Sequence, residues 1–488
     1  MKKQLRFMLF VSLVVLCFGR IHSSRAVEKT TVASPSSTTE MVVGTIGDYR
    51  ITGAAFKKRF YQELYPDDYA DTPSTEAISS VDCLRLMLAE KAVILEARKQ
   101  GLTDHENVQS STQRRSDQLL LRSLGQKVAE EKITVSEDVI DRILIVNPTL
   151  DRAKAKIAMQ RQKGKRLHTS YGKELAQKLH LEKRPENFSK AAAIHERLLK
   201  QPKTPRTSNM TWITLNQIRT ELGKNEGSIV LARYNGGAFT VKDLLMALHG
   251  MAPTGRPGNL GTPKGIDAFI DKSINKPLQL AEARLRGLDK DAELCSQLCE
   301  HEDSTLLSHV RTNKRKEIVE PNEVQIRTYF QTVKDVFRKR DTVEANVIWC
   351  ENRNAAIEVR EALAKGMAFS TAMTELTTDK KDVKPRTLSA SSEGFLWEPI
   401  WAAEPNQIVG PVIGFKNQQF HWRILQITSK TEGKPSPWDD NLPNSLKHEI
   451  MDNLSKASFA RYAKEALDKY PHQIFKKRLA TFDPRRIP

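Results

Sequence analysis

The sequence is poor in cysteine and in aromatic residues, with five cysteines among 488 residues and a 7% share of Phe, Trp and Tyr. So few cysteines exclude a small scaffold that disulfide bonds hold together. Beyond residues 7–19, no stretch approaches the roughly 18 apolar residues that indicate a membrane-spanning helix. The chain also lacks a GxSxG elbow, an HExxH motif and a P-loop, which argues against the common classes of hydrolase.

Charge is what the sequence has in abundance. Charged residues make up 28% of the chain, the net charge is +18 and the hydrophobic share is 39%. These values favour a helix-rich, strongly solvated protein of roughly three domains over a protein with one large core.

The first 26 residues have the pattern of a secretory signal peptide. Basic residues precede the apolar stretch over 7–19, and Ser24 and Ala26 are small residues at the two positions that a signal peptidase reads. An uncleaved N-terminal anchor is the alternative. We expect a protein that is secreted across the inner membrane, acts in the periplasm or at the envelope, and has no transmembrane span once the signal is removed.

Much of the remaining positive charge lies in residues 151–206, where 16 Lys and Arg residues stand against five Asp and Glu residues. In an exported protein, such a segment favours an anionic envelope surface or acidic partners, and we expect no nucleic-acid binding. A solvated helical face is the alternative explanation.

Four cysteines follow the predicted signal peptide: Cys83, Cys295, Cys299 and Cys350. An oxidising compartment permits disulfides, and four cysteines allow three pairings among which the sequence does not choose. Cys295 and Cys299 lie about one helical turn apart with His301 nearby, but neither a CxxC motif nor a second ligand pair accompanies them. We expect small buried residues or one opportunistic bridge, with no metal and no cofactor.

One pattern occurs twice in the chain. Residues 43–52 predict two strands around a turn at Gly47, followed by a helix that Thr52 caps. Residues 231–240 repeat this pattern at an offset of 188. Further on, Glu96-Ala97-Arg98 matches Glu282-Ala283-Arg284 at an offset of 186, and a helix-ending glycine follows each match. The repeat predicts two related helical modules, over residues 41–148 and 231–342, with a basic connecting segment over 149–230.

The last third of the chain has a different pattern. A strand over residues 345–350 precedes two short helices, and two further strands follow over 407–413 and 419–427. This order predicts a small α+β domain. Residues 446–469 then read as an amphipathic helix.

This order resembles a parvulin-type peptidyl-prolyl isomerase domain, and the whole chain resembles the SurA/PrsA-type extracytoplasmic foldases. The family motifs that carry the resemblance are V-x-A-x-H-I-L at residues 343–349, F-x-x-L-A-x-x-x-S-x-D at 369–379, P-G-x-I-x-G-P-V at 405–412 and G-Y-H-x-x-x-V from 419. The strand-turn-strand-helix at 43–60 and 231–248 resembles the V-N-G-x-x-I-T opening of the family's chaperone module.

The resemblance implies a mostly α fold with a smaller α+β domain. Two related helical chaperone-like modules follow a signal peptide (1–26) and a linker (27–40). A parvulin-like domain at 343–430 is expected to hold a four-stranded antiparallel sheet flanked by helices. The helix within 431–488 is expected to pack back on a helical module.

The resemblance also implies where a site would lie. The family's first histidine falls on Val347, which can neither hydrogen-bond nor titrate. Its second histidine falls on His421, and the motif serine falls on Thr377, so these two residues are the catalytic candidates. The candidates for an apolar substrate cleft are Trp349, Met373, Phe395, Leu396, Trp397 and Phe415. Ordinary core packing is the alternative for each aromatic residue.

Two functions therefore fit the sequence. The first is a chaperone or foldase that binds unfolded or proline-containing exported polypeptides, with an isomerase domain that is weak or inactive because of Val347. The second is a non-enzymatic envelope adaptor that binds an anionic surface through the basic segment.

Overall fold

The computed structural model describes residues 41–64, 78–147, 150–203, 212–378, 384–416, 419–483 and 485. The predicted signal peptide and linker lie outside these residues. The described part of the chain is mostly helical, and it contains two three-stranded sheets and one four-stranded sheet. The predicted fold class, mostly α with a smaller α+β domain, is therefore confirmed.

The first elements run from residue 42 to residue 200: β1 (Val42–Ile46), β2 (Tyr49–Thr52), α1 (Gly53–Leu64), α2 (Ser80–Lys99), α3 (Glu106–Lys132), α4 (Glu137–Val146), α5 (Arg152–Lys178), β3 (Glu182–Lys183) and α6 (Phe188–Lys200). The next run to residue 333: α7 (Leu215–Thr220), α8 (Lys224–Gly227), β4 (Val230–Tyr234), β5 (Gly237–Thr240), α9 (Val241–His249), α10 (Pro263–Ser273), α11 (Asn275–Leu285), α12 (Ala292–Lys316) and α13 (Glu323–Val333).

The remaining elements are β6 (Thr342–Cys350), α14 (Arg353–Ala364), α15 (Phe369–Glu375), β7 (Arg386–Ser389), α16 (Ala390–Glu393), α17 (Glu398–Trp401), β8 (Ile408–Lys416), β9 (Gln419–Thr431), α18 (Leu442–Asp468), β10 (His472–Ile474) and α19 (Lys476–Leu479). Single 3-10 turns occur at Leu102–Asp104, Pro185–Asn187, Pro253–Gly255, Leu288–Lys290, Gly394–Leu396 and Ala480–Phe482.

The chain forms two compact units. The central unit is Gln109–Glu302, and the outer unit combines the described residues up to Val108 with those from Asp303 onward. Helices α3 and α12 each contribute to both units, since the unit boundaries fall inside them. The bounds that the sequence predicts for the modules and the connecting segment stay predictions.

In the outer unit, the antiparallel sheet has the order β10–β1–β2. Ser79 caps α2 by accepting a hydrogen bond from the backbone N–H of Asp82, and Gly101 follows the helix in the left-handed conformation that glycine adopts at little cost. The core packs β1, α1 and α2 against α18, with Phe56, Phe60 and Leu84 fully buried. Each such side chain contributes about 1.5–3 kcal/mol on burial.

In the central unit, the sheet has the order β3–β4–β5, and α5 packs on α11. Thr240 and Asp243 form a capping box at the start of α9. Where the first repeat has the single helix α2, the second has α10 and α11 with a break at Ile274. Pro277 lacks the N–H that would bond to the backbone carbonyl of Ser273, which weakens the helix at this point.

The two units have the same plan. We call β1 to α6 the first repeat and β4 to α19 the second repeat. The strand pair of the first repeat takes its third strand, β10, from the second repeat, with Thr45 opposite Gln473. The strand pair of the second repeat takes β3 from the first, with Glu182 opposite Arg233. Each unit is therefore completed by a helix and a strand from the other repeat.

The four-stranded sheet lies in the outer unit, between α13 and α18, and we call residues 342–431 the sheet domain. Its strands are all antiparallel, in the order β7–β6–β9–β8. Helices α14 and α15 cover one face through Val359 and Phe369. Trp397 and Ile400 cover part of the opposite face, which also carries Val343 and Ala345 of β6. The predicted site residues lie mainly on this second face.

Candidate functional site

The register of β6 and β9 determines which side chains share the second face of the sheet domain. Val347 pairs with Leu425, and Trp349 pairs with Arg423. Because alternate residues of a strand point to the same face, these four side chains lie together. Val347 is 2% exposed and packs in the apolar core of this face with Leu425. The position of the family's first histidine is thus a core position in this chain.

His421 lies on the same strand as Arg423, one alternation away. Its ring centre is 6.2 Å from that of Trp349, and the ring planes are nearly perpendicular at 82°. This edge-to-face packing orients the imidazole. His421 is half-buried and lies opposite Gly414 of β8. The imidazole is therefore within reach of a ligand on this face.

A buried ion pair occupies part of this face. Arg423 is 2% exposed, and its Nη2 donates to Oε2 of Glu393 at 2.5 Å. A Cβ atom on Gly414 would lie 2.3 Å from Nε of Arg423, so glycine makes room for the guanidinium. Removing one partner of a buried pair leaves an uncompensated charge, which is costly. Arg423 is therefore held in place and is not free to move toward a substrate.

Three cations surround the indole of Trp349. The ring centre is 5.3 Å from Nζ of Lys416, 5.4 Å from the guanidinium carbon of Arg423 and 5.9 Å from that of Arg386. Cation–π contacts of this kind contribute about 0.5–2 kcal/mol each. In the described part of the chain, the buried Nε1 of Trp349 and Nε of Arg423 make no hydrogen bond. The face is electropositive and suits carbonyl or carboxylate groups.

Thr377 fixes the end of β6. Its Oγ1 accepts a hydrogen bond from the backbone N–H of Trp349 at 3.3 Å, and the N–H of Thr378 donates to the carbonyl of Trp349 at 2.9 Å. Thr377 is 4% exposed. These contacts make Thr377 a residue that positions Trp349, and its role in catalysis stays a prediction.

The structure distributes the six predicted cleft residues over several cores. Trp349 and Trp397 pack on the second face, and Met373 packs on the opposite face with α14 and α15. Leu396 is buried in a 3-10 turn. Of the six, only Trp349 and Trp397 share the face to which His421 belongs.

The last two cleft candidates pack against the core of the outer unit. Phe395 and Phe415 lie 6.4 Å and 5.3 Å from the ring of Phe420, and Phe415 lies 6.2 Å from Tyr61 of α1. These aromatic contacts attach the sheet domain to the helices around it. The assignment of these two residues to a substrate cleft stays a prediction.

Sequence reasoning missed the partnership of Arg423 and Glu393. A sequence signal was present, because Arg423 occurs at a core-facing position of the alternation that continues through Leu425 and Ile427. A charge at such a position requires a buried partner. Nothing in the spacing of the sequence identifies Glu393, which follows the capping box of α16.

The cations of the basic segment are engaged in ion pairs within the central unit. The pairs are Arg152 with Glu137 and Asp141, Lys178 with Glu282, Lys183 with Asp267 and Asp271, and Arg197 with Glu226. Much of the segment is the helix α5 and the strand β3, which complete the central unit. This pairing reduces the positive charge available to an external surface, so the expected anionic partner has no support.

The cysteines do not pair. Cys83 and Cys350 are free and buried, and burial raises their thiol pKa values to about 12 and about 11. Cys295 and Cys299 are free and exposed, so the expectation that this pair is buried or bridged is wrong. The first turns of α12 carry mainly polar residues around them. Among the described residues, no cluster of three His, Cys, Asp or Glu side chains could hold a metal ion.

No helix within the described ranges combines the length and the apolar character that crossing a membrane requires. No family model matches the chain, and no curated protein matches it. Solved structures do show likeness. One is a SurA-like chaperone of Campylobacter jejuni, from the pair PEB4 and Cj1289, with 17% identity and a TM-score of 0.24 over 49% of this chain and 97% of that chain.

Two further similar structures are foldase proteins. PrsA of Streptococcus pneumoniae has 18% identity and a TM-score of 0.23, over 42% of this chain and 75% of that chain. PrsA of Lactococcus lactis has 12% identity and a TM-score of 0.19, over 51% of this chain and 95% of that chain. All three are of the SurA-like and PrsA class that the sequence motifs resemble. Because these TM-scores are low, the function of this chain has to be argued from its own residues.

Proposed function

We propose that this chain is an extracytoplasmic chaperone of the SurA/PrsA type that binds unfolded exported polypeptides. The observation that supports this proposal is exposed apolar surface on corresponding helices of the two units. Ile145 and Val146 at the end of α4 are 76% and 86% exposed, and Val324 on α13 is 72% exposed. Neighbouring apolar side chains left in solvent are typical of surfaces that bind other polypeptides.

The signal-peptide pattern of residues 1–26 places this activity outside the cytoplasm, in the periplasm or at the envelope. A chaperone there gains from non-directional apolar contact, because the strength of such contact follows buried area and not the sequence of the bound polypeptide.

In this proposal, the sheet domain binds polypeptide with little isomerase activity. Prolyl isomerisation has a barrier of about 18–20 kcal/mol, and a catalyst must favour the twisted amide over the planar one. Val347 offers no polar group for this purpose, and Arg423 is held by Glu393. His421 is the remaining catalytic candidate among the polar groups of the face.

The test measures two activities of the chain from residue 27 onward. We expect it to suppress light scattering by thermally unfolded citrate synthase, and to accelerate isomerisation of a proline tetrapeptide only weakly. The double substitution Ile145→Gln with Val146→Gln should reduce suppression. The matched control is Leu285→Gln, since Leu285 is 61% exposed on α11 of the same unit.

Failure of the wild-type chain to suppress aggregation would overturn the chaperone proposal. Rapid turnover that disappears in His421→Ala would instead show that the sheet domain is an enzyme, contrary to the second half of the proposal.

A further inference from the structure

We infer that the groove between α4 and α5 binds an extended segment of unfolded polypeptide that presents a large aliphatic or aromatic side chain. This inference rests on the proposed chaperone function and assigns it to one place. The groove encloses about 380 Å³, within the range of about 300–1,000 Å³ that is usual for ligand pockets. Its lining is largely apolar and consists of Val139, Arg142, Ile143, Val146, Asn147 and Met159.

The outer unit contains a corresponding pair of helices, α13 and α18. Ile140 of α4 corresponds to Ile326 of α13, and both are buried. Ala155 of α5 corresponds to Leu446 of α18, and both are buried as well. The contents of the second pair therefore show what the first pair can hold.

In the outer unit, the place of the groove is filled by a tyrosine of the chain itself. Tyr329 corresponds to Ile143, packs beside Ile450 and donates its hydroxyl to Oε1 of Glu449 at 2.8 Å. The central unit has Ala158 where α18 has Glu449. The groove in the central unit is thus the space that a phenol ring occupies in the outer unit.

The outer unit also shows an extended segment lying on this helix pair. Between β9 and α18, the ring of Trp438 packs 5.2 Å from that of Phe330, and the guanidinium of Arg327 lies 4.7 Å from the Trp438 ring. The N–H of Ser436 donates to the carbonyl of Phe337 at 2.8 Å. An extended backbone that inserts a large apolar side chain next to a guanidinium is therefore the kind of occupant that this helix pair takes.

The central unit has no such segment of its own in the sequence, because α4 and α5 are joined by the short connection 147–151. Arg142 supplies a guanidinium in the groove lining. Ile145 and Val146 continue the apolar surface out of the groove. These features leave the position open to a segment from another polypeptide.

Ion pairs hold the walls of the groove together. Nη2 of Arg152 lies 2.8 Å from Glu137, and Nη1 lies 2.7 Å from Asp141, so the start of α5 is tied to α4. Lys156 adds a contact of 3.5 Å to Glu137. A groove whose walls are fixed in advance binds with a smaller loss of conformational entropy.

The experiment places a photo-crosslinking amino acid at position 146 of the full chain and uses carboxymethylated, permanently unfolded α-lactalbumin as the probe. We expect crosslinks at 146 and none at a control position, 285. The substitution Ile143→Tyr together with Ala158→Glu reproduces the filled arrangement of the outer unit. It should weaken probe binding by about tenfold, as expected when one large side chain loses its pocket. Met246→Tyr, on an exposed apolar residue of α9, is the matched control.

The outcomes are separable from those of the proposed function. Unchanged probe binding by the filled variant, with no crosslink at 146, would overturn the groove while leaving the chaperone proposal intact. Crosslinks between two copies of the chain, formed without probe, would make a second copy the occupant and also overturn this inference. If the wild-type chain binds no probe at all, both proposals fail. The thermal unfolding midpoint of each variant confirms that the fold is intact.

Discussion

The central unit and the outer unit reach the same architecture with different stretches of chain. In the central unit, α5 and β3 of the first repeat complete β4 and β5 of the second. In the outer unit, α18 and β10 of the second repeat complete β1 and β2 of the first. Neither repeat forms a unit from its own residues alone. The duplicated sequence is therefore a pair of halves that complete each other.

Corresponding charges make the same contacts in both units. Asp303 of α12 pairs with Lys91 at 2.8 Å and Arg98 at 2.9 Å in the outer unit. Asp117 of α3 pairs with Arg284 at 3.8 Å in the central unit. Asp117 and Arg284 stand 186 residues from Asp303 and Arg98. The match shows that each long helix places its aspartate on the strand-bearing half of the other repeat.

The units differ most in what joins their last two long helices. The central unit joins α4 to α5 through residues 147–151, whereas the outer unit has the whole sheet domain between α13 and α18. An insertion of this size is tolerated where the ends of the inserted chain leave the surrounding core intact. The four predictions that follow test how far the two units are equivalent.

The largest effect is expected in the insertion. Arg423→Met leaves Glu393 as an unpaired charge that is 8% exposed, which should cost about 3–5 kcal/mol. We expect the sheet domain to unfold at a lower denaturant concentration, with Trp349 fluorescence as the probe. The transition of the central unit should not change, because Arg423 has no part in its core.

The control is the double substitution Arg423→Met with Glu393→Gln. Removing both charges should restore most of the lost stability, since an apolar replacement of a buried pair is often neutral. Equal destabilisation by the single and the double substitutions would show that the ion pair is not what stabilises the domain.

The next effect concerns a pair of positions with exchanged sizes. A Cβ atom on Gly53 would lie 2.0 Å from the ring of Phe482 in the outer unit. The corresponding residues of the central unit are Val241 and Ala191, both 1% exposed. Gly53→Val should therefore destabilise the outer unit by about 3 kcal/mol through overpacking.

Phe482→Ala is the matched partner of that substitution. Alone it should cost about 3 kcal/mol, because it leaves a cavity. Combined with Gly53→Val, it reproduces the pairing of the central unit, so the double variant should be more stable than the sum of the single effects predicts. Strict additivity in denaturant unfolding would contradict the structural correspondence of the two sites.

A smaller difference is expected for two corresponding buried glutamates. Glu282 is fully buried and accepts from Lys178 at 2.6 Å and from Arg286 at 2.6 Å. Glu96 accepts from Tyr470 at 2.8 Å and from Lys469 at 3.0 Å. Glu282→Gln should cost about 3 kcal/mol, since two cations lose their partner. Glu96→Gln should cost about 1 kcal/mol, because the amide oxygen can still accept from Tyr470.

The pH dependence of stability checks the same pair. Hydrogen bonds from Tyr470 and Lys469 lower the pKa of Glu96. Burial acts to raise the pKa of Glu282, but hydrogen bonds from Lys178 and Arg286 outweigh it and lower that pKa too. Such carboxylates stabilise the fold above the unfolded pKa of about 4.3, and the contribution is lost as the pH falls through the folded pKa. Each Gln variant should therefore flatten the loss of stability in acid, and an unchanged slope would argue against these contacts.

Much of this plan could be predicted from the sequence because it depends on local signals. The turns at Gly47 and Gly236 and the left-handed glycines Gly101 and Gly287 appear as repeated sequence features before they appear as repeated structure. The strand order of the sheet domain follows from the resemblance. What no local signal carries is which repeat supplies β3 and β10, since pairing across more than a hundred residues is set by the three-dimensional packing.

The candidate site was predictable only in part, and for a physical reason. Val347 could be named as a departure because it follows from one motif position. The place of Phe415 against Tyr61 and the burial of Arg423 with Glu393 depend on contacts between distant elements. A strand pattern fixes the face of a residue but not the neighbour that covers it.

The smallest effect is expected from cutting the chain between the repeats. A protease site inserted between α6 and α7, with the uncut insertion as its control, separates the first repeat from the second. Each unit draws part of its core from both repeats, so after cleavage the two fragments should elute together in size-exclusion chromatography. The unfolding midpoint should shift by less than about 3 °C. Fragments that separate without denaturant would mean that each repeat is stable by itself, and the completion of each unit by the other repeat would then not be what stabilises the fold.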